Sequence, residues 1–441
     1  MGAEERPARS HKSEPLLIIG ASAAGASAAI EARRLDPELP ITLLSGEHKS
    51  PYARPSLMYL FMGKLGLRDL SLEPEARWDQ LRVERVRAWA TGLERSGAQR
   101  LVLAEGSEGP IRLPFSRLLI ATGARPRRLS CPGADLEGVC GLWGLHELAQ
   151  LSSLSAQARE ALVVGGGLIG AELSEMLLSR GLRVTQLVRE ARYAPHLLTP
   201  AESALVSQEL SAMGVDLRLS YELESLHGAR GRVERAQARG PHGAQTLDCQ
   251  LVAAAIGAEP ELSLGARLGL SAEPHGLLVN ERFETSSAQI YAAGDCATVR
   301  SAELSAGAQG WPQGWPQGWV SAQRQGRLAA RAMLGAPLAL EALDRQPELI
   351  PLVSRFGRLT HARVGPVIGR DAGLELQEEW AHPRRPARVS LFGREGQLSA
   401  ISALGVQLEG PLWRARLLSG ISLSSASALL PSEFKGLKRV A

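Results

Sequence analysis

The feature that most constrains this chain is a strand, glycine turn and helix signature that occurs twice. In the first copy, Leu16-Leu17-Ile18-Ile19 runs into Gly20-Ala21-Ser22-Ala23-Ala24-Gly25. The apolar run has the length and branching of a parallel-sheet strand covered on both faces. Gly20 permits a sharp turn, Ala21 to Ala24 are small enough for a phosphate to approach the backbone, and Gly25 lets the helix lie close to the strand. The second copy joins Ala161-Leu162-Val163-Val164 to Gly165-Gly166-Gly167-Leu168-Ile169-Gly170-Ala171-Glu172 and fills all three glycine positions of G-x-G-x-x-G. A lone glycine triplet says little. In this setting it predicts a helix start whose free amides and dipole hold a diphosphate. Two such units predict an α/β fold with two dinucleotide-binding (Rossmann-like) halves.

Around the first turn, Ala26 to Leu35 reads as the helix and Ile41 to Leu44 as the next strand. Glu47 follows, where a carboxylate can accept ribose hydroxyls. In Pro51-Tyr52-Ala53-Arg54-Pro55, the guanidinium of Arg54 can fork onto two phosphate oxygens. Leu118 to Ile120 is a buried strand ending in Ala121-Thr122-Gly123, a small-residue turn suited to a chain passing close to a cofactor. In the second unit the helical pattern runs from Glu172 to Leu178 and the next strand from Arg183 to Val188. Val188 occupies the usual place of a ribose-binding acid, and it cannot accept hydroxyls. Arg189, directly after it, can pair with the 2′-phosphate of NADPH. Arg192 is placed to assist. Glu190 is the alternative ribose acceptor, and strand alternation points it away from Arg189. Leu251 to Pro260 reads as the strand that closes the unit. Ile290 to Ala293 then leads into Gly294-Asp295, and an aspartate there can accept from the sugar-alcohol chain of a flavin. Gly310 to Trp319 repeats Gly-Trp-Pro-Gln and reads as a duplicated insertion leading into a helix from Val320 to Leu334. Trp319, at that helix start, lies near an aromatic ring system or packs as an ordinary half-exposed indole.

The chain has 441 residues, 44% hydrophobic and 22% charged, enough for two or three domains of ordinary globular composition. The net charge is only +4, and no arginine cluster alternates with aromatics, so nothing points to nucleic acid. No apolar run reaches the length of a membrane span. Residues 1–14 are polar and read as a disordered leader without a signal-peptide core, which makes a cytoplasmic location the expectation. Cys131, Cys140, Cys249 and Cys296 include no C-x-x-C pair, so neither a redox disulfide of that spacing nor an iron–sulfur ligand set is expected, and no metal site. From about Pro337 the character changes. A hairpin (Ala387 to Phe392 and Gln397 to Val406) and a helix (Trp413 to Ile421) suggest a small α+β tail, in which His361 and His382 are isolated surface or packing residues.

Five motifs in order give the chain a family resemblance: the Gly20 turn, Ala121-Thr122-Gly123, the Gly165 turn, Ile256-Gly257 with Pro260, and Gly294-Asp295. It resembles the FAD-dependent pyridine-nucleotide oxidoreductases from about Leu16 to Leu334. Glu47, Tyr52, Arg54, Pro55 and Leu57 are similar to the branch of rubredoxin reductases, ferredoxin reductases and nitrite reductase flavin domains. The resemblance implies an FAD domain in two segments, 15–130 and 263–336, an NAD(P) domain at 131–262 and a C-terminal interface domain at 337–441. It implies that FAD is bound by Gly20, Ser22, Ala23, Ala24, Gly25, Glu47, Arg54, Ala121, Thr122, Gly123, Gly294, Asp295 and Trp319. NADPH or NADH would be bound by Gly165, Gly167, Leu168, Ile169, Gly170, Glu172, Arg189 and Arg192, with Glu172 orienting the nicotinamide or serving only as a helix-terminal acid. The implied activity is hydride transfer from NAD(P)H, NADPH favoured, to FAD and then to a small electron carrier, an iron–sulfur protein. The alternatives are an NAD(P)H oxidase and a flavoprotein subunit for assembly or redox sensing. A homodimer through the tail is compatible. The chain departs from the family pattern at Ser22, Met58 and Tyr59. It also has no cysteine between Tyr52 and Leu57, which disfavours the coenzyme A disulfide chemistry of other branches.

Overall fold

The computed structural model describes residues 15–97, 99–299, 318–338, 352–366 and 374–440. The proposed leader and most of the tryptophan repeat lie outside them. The wholly buried β1 (Leu16–Ile19) turns at Gly20 into α1 (Ala23–Leu35) and then β2 (Ile41–Ser45). Two short helices, α2 (Leu57–Phe61) and α3 (Glu75–Gln80), precede an antiparallel meander of β3 (Val83–Ser96), β4 (Gln99–Gly106) and β5 (Gly109–Phe115). The chain then re-enters the sheet as β6 (Arg117–Ile120). β1 pairs in parallel with β2 (Ile19 beside Leu44) and with β6 (Ile19 beside Ile120), and β2 in parallel with β3. These carboxyl ends therefore open on one edge, where open α/β sheets bind ligands.

The second unit is reached through β7 (Ala124–Pro126) and β8 (Val139–Gly141). It continues through α4 (Leu145–Ser155), β9 (Glu160–Val164), α5 (Leu168–Ser179), β10 (Arg183–Val188), α6 (Pro200–Ala212) and β11 (Val215–Leu219). An antiparallel meander, β12 (Glu222–Ala229), β13 (Arg232–Gly240) and β14 (Gly243–Asp248), covers one face. β15 (Leu251–Ala254) then completes a parallel sheet of order β11-β10-β9-β15-β8. Leaving it, β16 (Ala258–Pro260) pairs antiparallel with β7, so the outgoing and returning chain cross between the units side by side.

The return runs through α7 (Ser263–Arg267), β17 (Ala272–Glu273), β18 (Gly276–Val279), β19 (Ile290–Ala292), β20 (Ala297–Val299) and α8 (Trp319–Met333). β19 joins the first sheet beside β6, giving the order β19-β6-β1-β2-β3-β4-β5. α1 and α8 pack together through small residues. A Cβ on Gly326 would fall 2.0 Å from the Ala24 carbonyl oxygen, and Arg331 bonds Glu31 across the pair at 3.0 Å.

The tail contains β21 (Leu352–Phe356), β22 (Leu359–Val364), β23 (Glu375–Ala381), β24 (Arg388–Arg394) and β25 (Gln397–Leu404). α9 (Gly410–Leu418), α10 (Leu423–Glu433) and β26 (Lys438–Arg439) follow. The sheet is antiparallel in the order β21-β22-β25-β24-β23-β26, and Trp413, Ala426 and Leu430 of the helices are buried against it. His361 is a packing residue. It is fully buried beside Ser402, and burial lowers its imidazole pKa to about 3. Among the described residues no helix is long and apolar enough to cross a membrane.

Candidate dinucleotide sites

At the first turn, Gly20 has φ +106°, and a Cβ there would lie 2.1 Å from the Ala121 carbonyl oxygen. A Cβ on Gly25 would lie 1.8 Å from the Gly20 carbonyl oxygen. These are the two glycines the turn cannot replace. Ser22, in the middle position, precedes α1 with an extended backbone, and its hydroxyl does not cap the helix. The first turn of α1 carries no acid of its own to compete for the amides at its start.

Because β1, β6 and β19 are parallel neighbours, their carboxyl ends bring Gly20–Gly25, Ala121–Gly123 and Gly294–Asp295 to one edge. Thr122 donates its hydroxyl to the Glu261 carbonyl at 3.2 Å, and Gly123 takes φ +73°. Burial raises the Asp295 carboxyl pKa above its ordinary value, and the Gly318 amide donates to it at 2.9 Å. Trp319, the first residue of α8, is half-buried against the same core.

Glu47 and Arg54 lie where this unit meets the second. One carboxylate oxygen of Glu47 accepts from Tyr52 (2.5 Å) and from the Leu145 amide at the start of α4 (2.8 Å). The other accepts from Arg54 at 2.6 Å, and Arg54 also donates to the Trp143 carbonyl at 2.6 Å. In this arrangement Arg54 orients Glu47 and fixes the segment before α4.

The second turn is built the same way. Gly165 has φ +128°, with a Cβ position 2.2 Å from the Ala255 carbonyl oxygen, and a Cβ on Gly170 would lie 2.4 Å from the Gly165 carbonyl oxygen. A Cβ on Gly167 would meet nothing within 4 Å, so the middle glycine faces open space at an uncapped, acid-free helix start. Leu168 and Ile169 form the first turn of α5, and Ile169 is exposed. Two bracing residues were not singled out by the sequence reading. Buried Gln186 donates to the Gly165 carbonyl (2.8 Å) and to the Tyr193 hydroxyl (2.9 Å), and Tyr193 donates to the Gly167 carbonyl (2.9 Å). A polar residue inside the otherwise apolar end of β10 was the available signal.

Val188 is fully buried under the turn, where a Cβ on Gly166 would meet its Cγ1 at 2.4 Å. Arg189 stands in solvent with its side chain 74% exposed. Glu190 does not point away from it, since the two form an ion pair at 3.3 Å. β10 ends at Val188, so strand alternation no longer governs Glu190. Arg192 donates to the carbonyls of Leu198 (2.7 Å) and Pro195 (3.2 Å), which holds the loop before α6.

Glu172 is half-buried on α5. Burial pushes its carboxyl up to about 7, against the opposing pull of Arg355 and with a further push from Glu175. Arg355, from β21 of the tail, pairs with Glu175 and lies 5.8 Å from the centre of the Tyr59 ring, while Phe356 meets Tyr193 edge-on at 6.0 Å. The tail is thereby seated on the helix that follows the second glycine turn. All four cysteines are free, and burial pushes the Cys140 and Cys249 thiols up to about 12. Thiols held neutral in this way make poor nucleophiles.

Residues 14–326 match the family model for pyridine nucleotide-disulphide oxidoreductases. The chain belongs to this family. Its members are FAD-dependent NAD(P)H oxidoreductases, and both turns fit a dinucleotide: each has glycines that a Cβ would force apart and an uncapped helix start. The chain is 31% identical over 287 residues to a rubredoxin-NAD(+) reductase of Pseudomonas putida, covering 65% of this chain and 72% of that one. A ferredoxin reductase structure from Rhodopseudomonas palustris shares the fold with a TM-score of 0.79 at 23% identity, over 94% of this chain and 98% of that one. An engineered NADPH oxidase made from a Lactobacillus brevis NADH oxidase, solved with NADPH bound, superposes with a TM-score of 0.76 at 16% identity, over 93% and 92% of the two chains. Its substitutions include an aspartate changed to alanine and the next residue changed to arginine.

Proposed function

We propose that this oxidoreductase takes electrons from NADPH in preference to NADH and delivers them through FAD to a small iron–sulfur carrier protein. When bound, FAD would accept a two-electron hydride and release electrons one at a time. The first turn, with Gly20, Ser22, Ala23, Ala24 and Gly25, would take its diphosphate at the amides of α1. Glu47, held by Arg54, would take ribose hydroxyls, with Ala121, Thr122, Gly123, Gly294, Asp295 and Trp319 along the rest of the edge. The segments 15–130 and 263–336 would thus act as one FAD domain, and 131–262 as the coenzyme domain. In the latter, Gly165, Gly167, Leu168, Ile169 and Gly170 would receive the coenzyme diphosphate. Arg189 would take the 2′-phosphate, and Glu172 would orient the nicotinamide. Arg192 would support this site through the loop it holds. Segment 337–441 would pair two copies of the chain.

The observation that carries the NADPH reading is the end of β10, where buried Val188 offers no acceptor to a ribose and exposed Arg189 offers a cation. The engineered NADPH oxidase also carries an introduced arginine directly after an aspartate replaced by alanine. The carrier reading is supported by the absence of a paired cysteine and by relatives named for rubredoxin and ferredoxin. The test is anaerobic reduction of the purified flavoprotein by each coenzyme in turn. NADPH should bleach the flavin at lower concentration and faster than NADH. Equal or reversed preference would overturn the coenzyme assignment.

A further inference from the structure

Among the described residues Trp89, on β3, is a large apolar residue left 65% exposed. A Cβ on Gly46 would fall 2.2 Å from Cδ2 of its indole and 2.4 Å from Cε2. One face of the ring therefore lies flat against the Gly46 backbone, a seat that only glycine provides. Gly46 directly follows β2 and directly precedes Glu47. In register, Ser45, the last residue of β2, pairs with Arg87, two residues before Trp89. Beyond that point β3 leaves the parallel sheet and pairs with β4, Trp89 beside Glu105. The indole thus stands as a wall just past the carboxyl ends of β1 and β2, beside the carboxylate suited to a ribose. A dinucleotide lying along this edge places its nucleobase beyond that ribose, on the far side from the glycine turn.

We propose that Trp89 is the stacking platform for the adenine of FAD, with Gly46 present to seat the indole. This rests on the FAD reading of the first turn. A flat, exposed indole beside a ribose acceptor offers a base a π-face and removes apolar area from water on both partners.

The test uses full-length apoprotein titrated with FAD and, separately, with FMN, which shares the flavin but lacks adenine. Trp89→Ala should bind FAD roughly 5- to 150-fold more weakly, which corresponds to about 1–3 kcal/mol for a lost base stack. Its affinity for FMN should match the wild type, and Trp89→Phe should recover most of the FAD affinity. FAD should also quench less tryptophan fluorescence in Trp89→Ala than in the wild type. Undiminished FAD affinity in Trp89→Ala would overturn the proposal, and so would equal losses for FAD and FMN. Retained FAD affinity with lost turnover of a carrier protein would make Trp89 a docking residue instead. A wild-type apoprotein that binds neither flavin would overturn the FAD reading itself.

Discussion

Arg189 stands in solvent one residue past the end of β10, paired with the neighbouring Glu190. An exposed guanidinium gives up little on meeting a phosphate, and a charged hydrogen bond is worth about 1.5–3 kcal/mol. Arg189→Ala should therefore lower kcat/KM for NADPH roughly 10- to 100-fold and leave NADH nearly unchanged, as steady-state kinetics with both coenzymes would show. Losses of similar size with both would mean that Arg189 supports the site in general. Glu172 carries a pH signature. Its folded carboxyl titrates near 7, above the ordinary value of 4.5, so between these values the native state binds more protons than the unfolded chain. Its contribution to stability is full below about 4.5 and is lost as pH rises through about 7. Glu172→Gln, neutral throughout, should gain thermal midpoint relative to the wild type on going from about pH 5 to about pH 8. A constant offset would show that Glu172 ionises normally. Arg189 was legible in the sequence because a glycine motif fixes where the ribose acid should be. Gln186, Tyr193 and Trp89 were not, because a lone polar or aromatic side chain has no periodicity, and its partners are set by packing.

At the scale of elements, the glycine motifs place both turns, while the regular helical pattern is read only from further along each helix. That pattern is clear from Ala26 and from Glu172, whereas α1 starts at Ala23 and α5 at Leu168. Ala23, Ala24, Leu168 and Ile169 suit a turn and a first helical turn equally well, so composition cannot divide them. The α1–α8 contact was not visible either, since it depends on Gly326 lying against a backbone 302 residues away in sequence, at Ala24. Gly326→Ala should force these helices apart and lower stability by about 1–3 kcal/mol, read as a lowered thermal midpoint and faster FAD release. An unchanged midpoint would mean that the contact relaxes freely. The seat of β21 on α5 through Arg355 and Phe356 was equally hidden, because it joins elements that no sequence motif links.

For the molecule as a whole, the order of motifs foretold the path of the chain. One sheet is begun, left through β7, and completed by β19 after the second unit has been built. The four cysteines are free and three of them are buried, so no disulfide is expected to share electrons with the flavin. In anaerobic titration one equivalent of NADPH per flavin should complete the bleaching, whereas uptake of a second equivalent would reveal another redox centre. Transfer of these electrons to a carrier protein is the proposal on which the assigned function turns. It is tested most directly by mixing NADPH-reduced enzyme anaerobically with oxidised rubredoxin or a [2Fe–2S] ferredoxin and following both chromophores. The flavin should reoxidise as at least one carrier is reduced, with electrons conserved between them. A flavin that stays reduced with both carriers but reoxidises rapidly in air would contradict it and identify an oxidase.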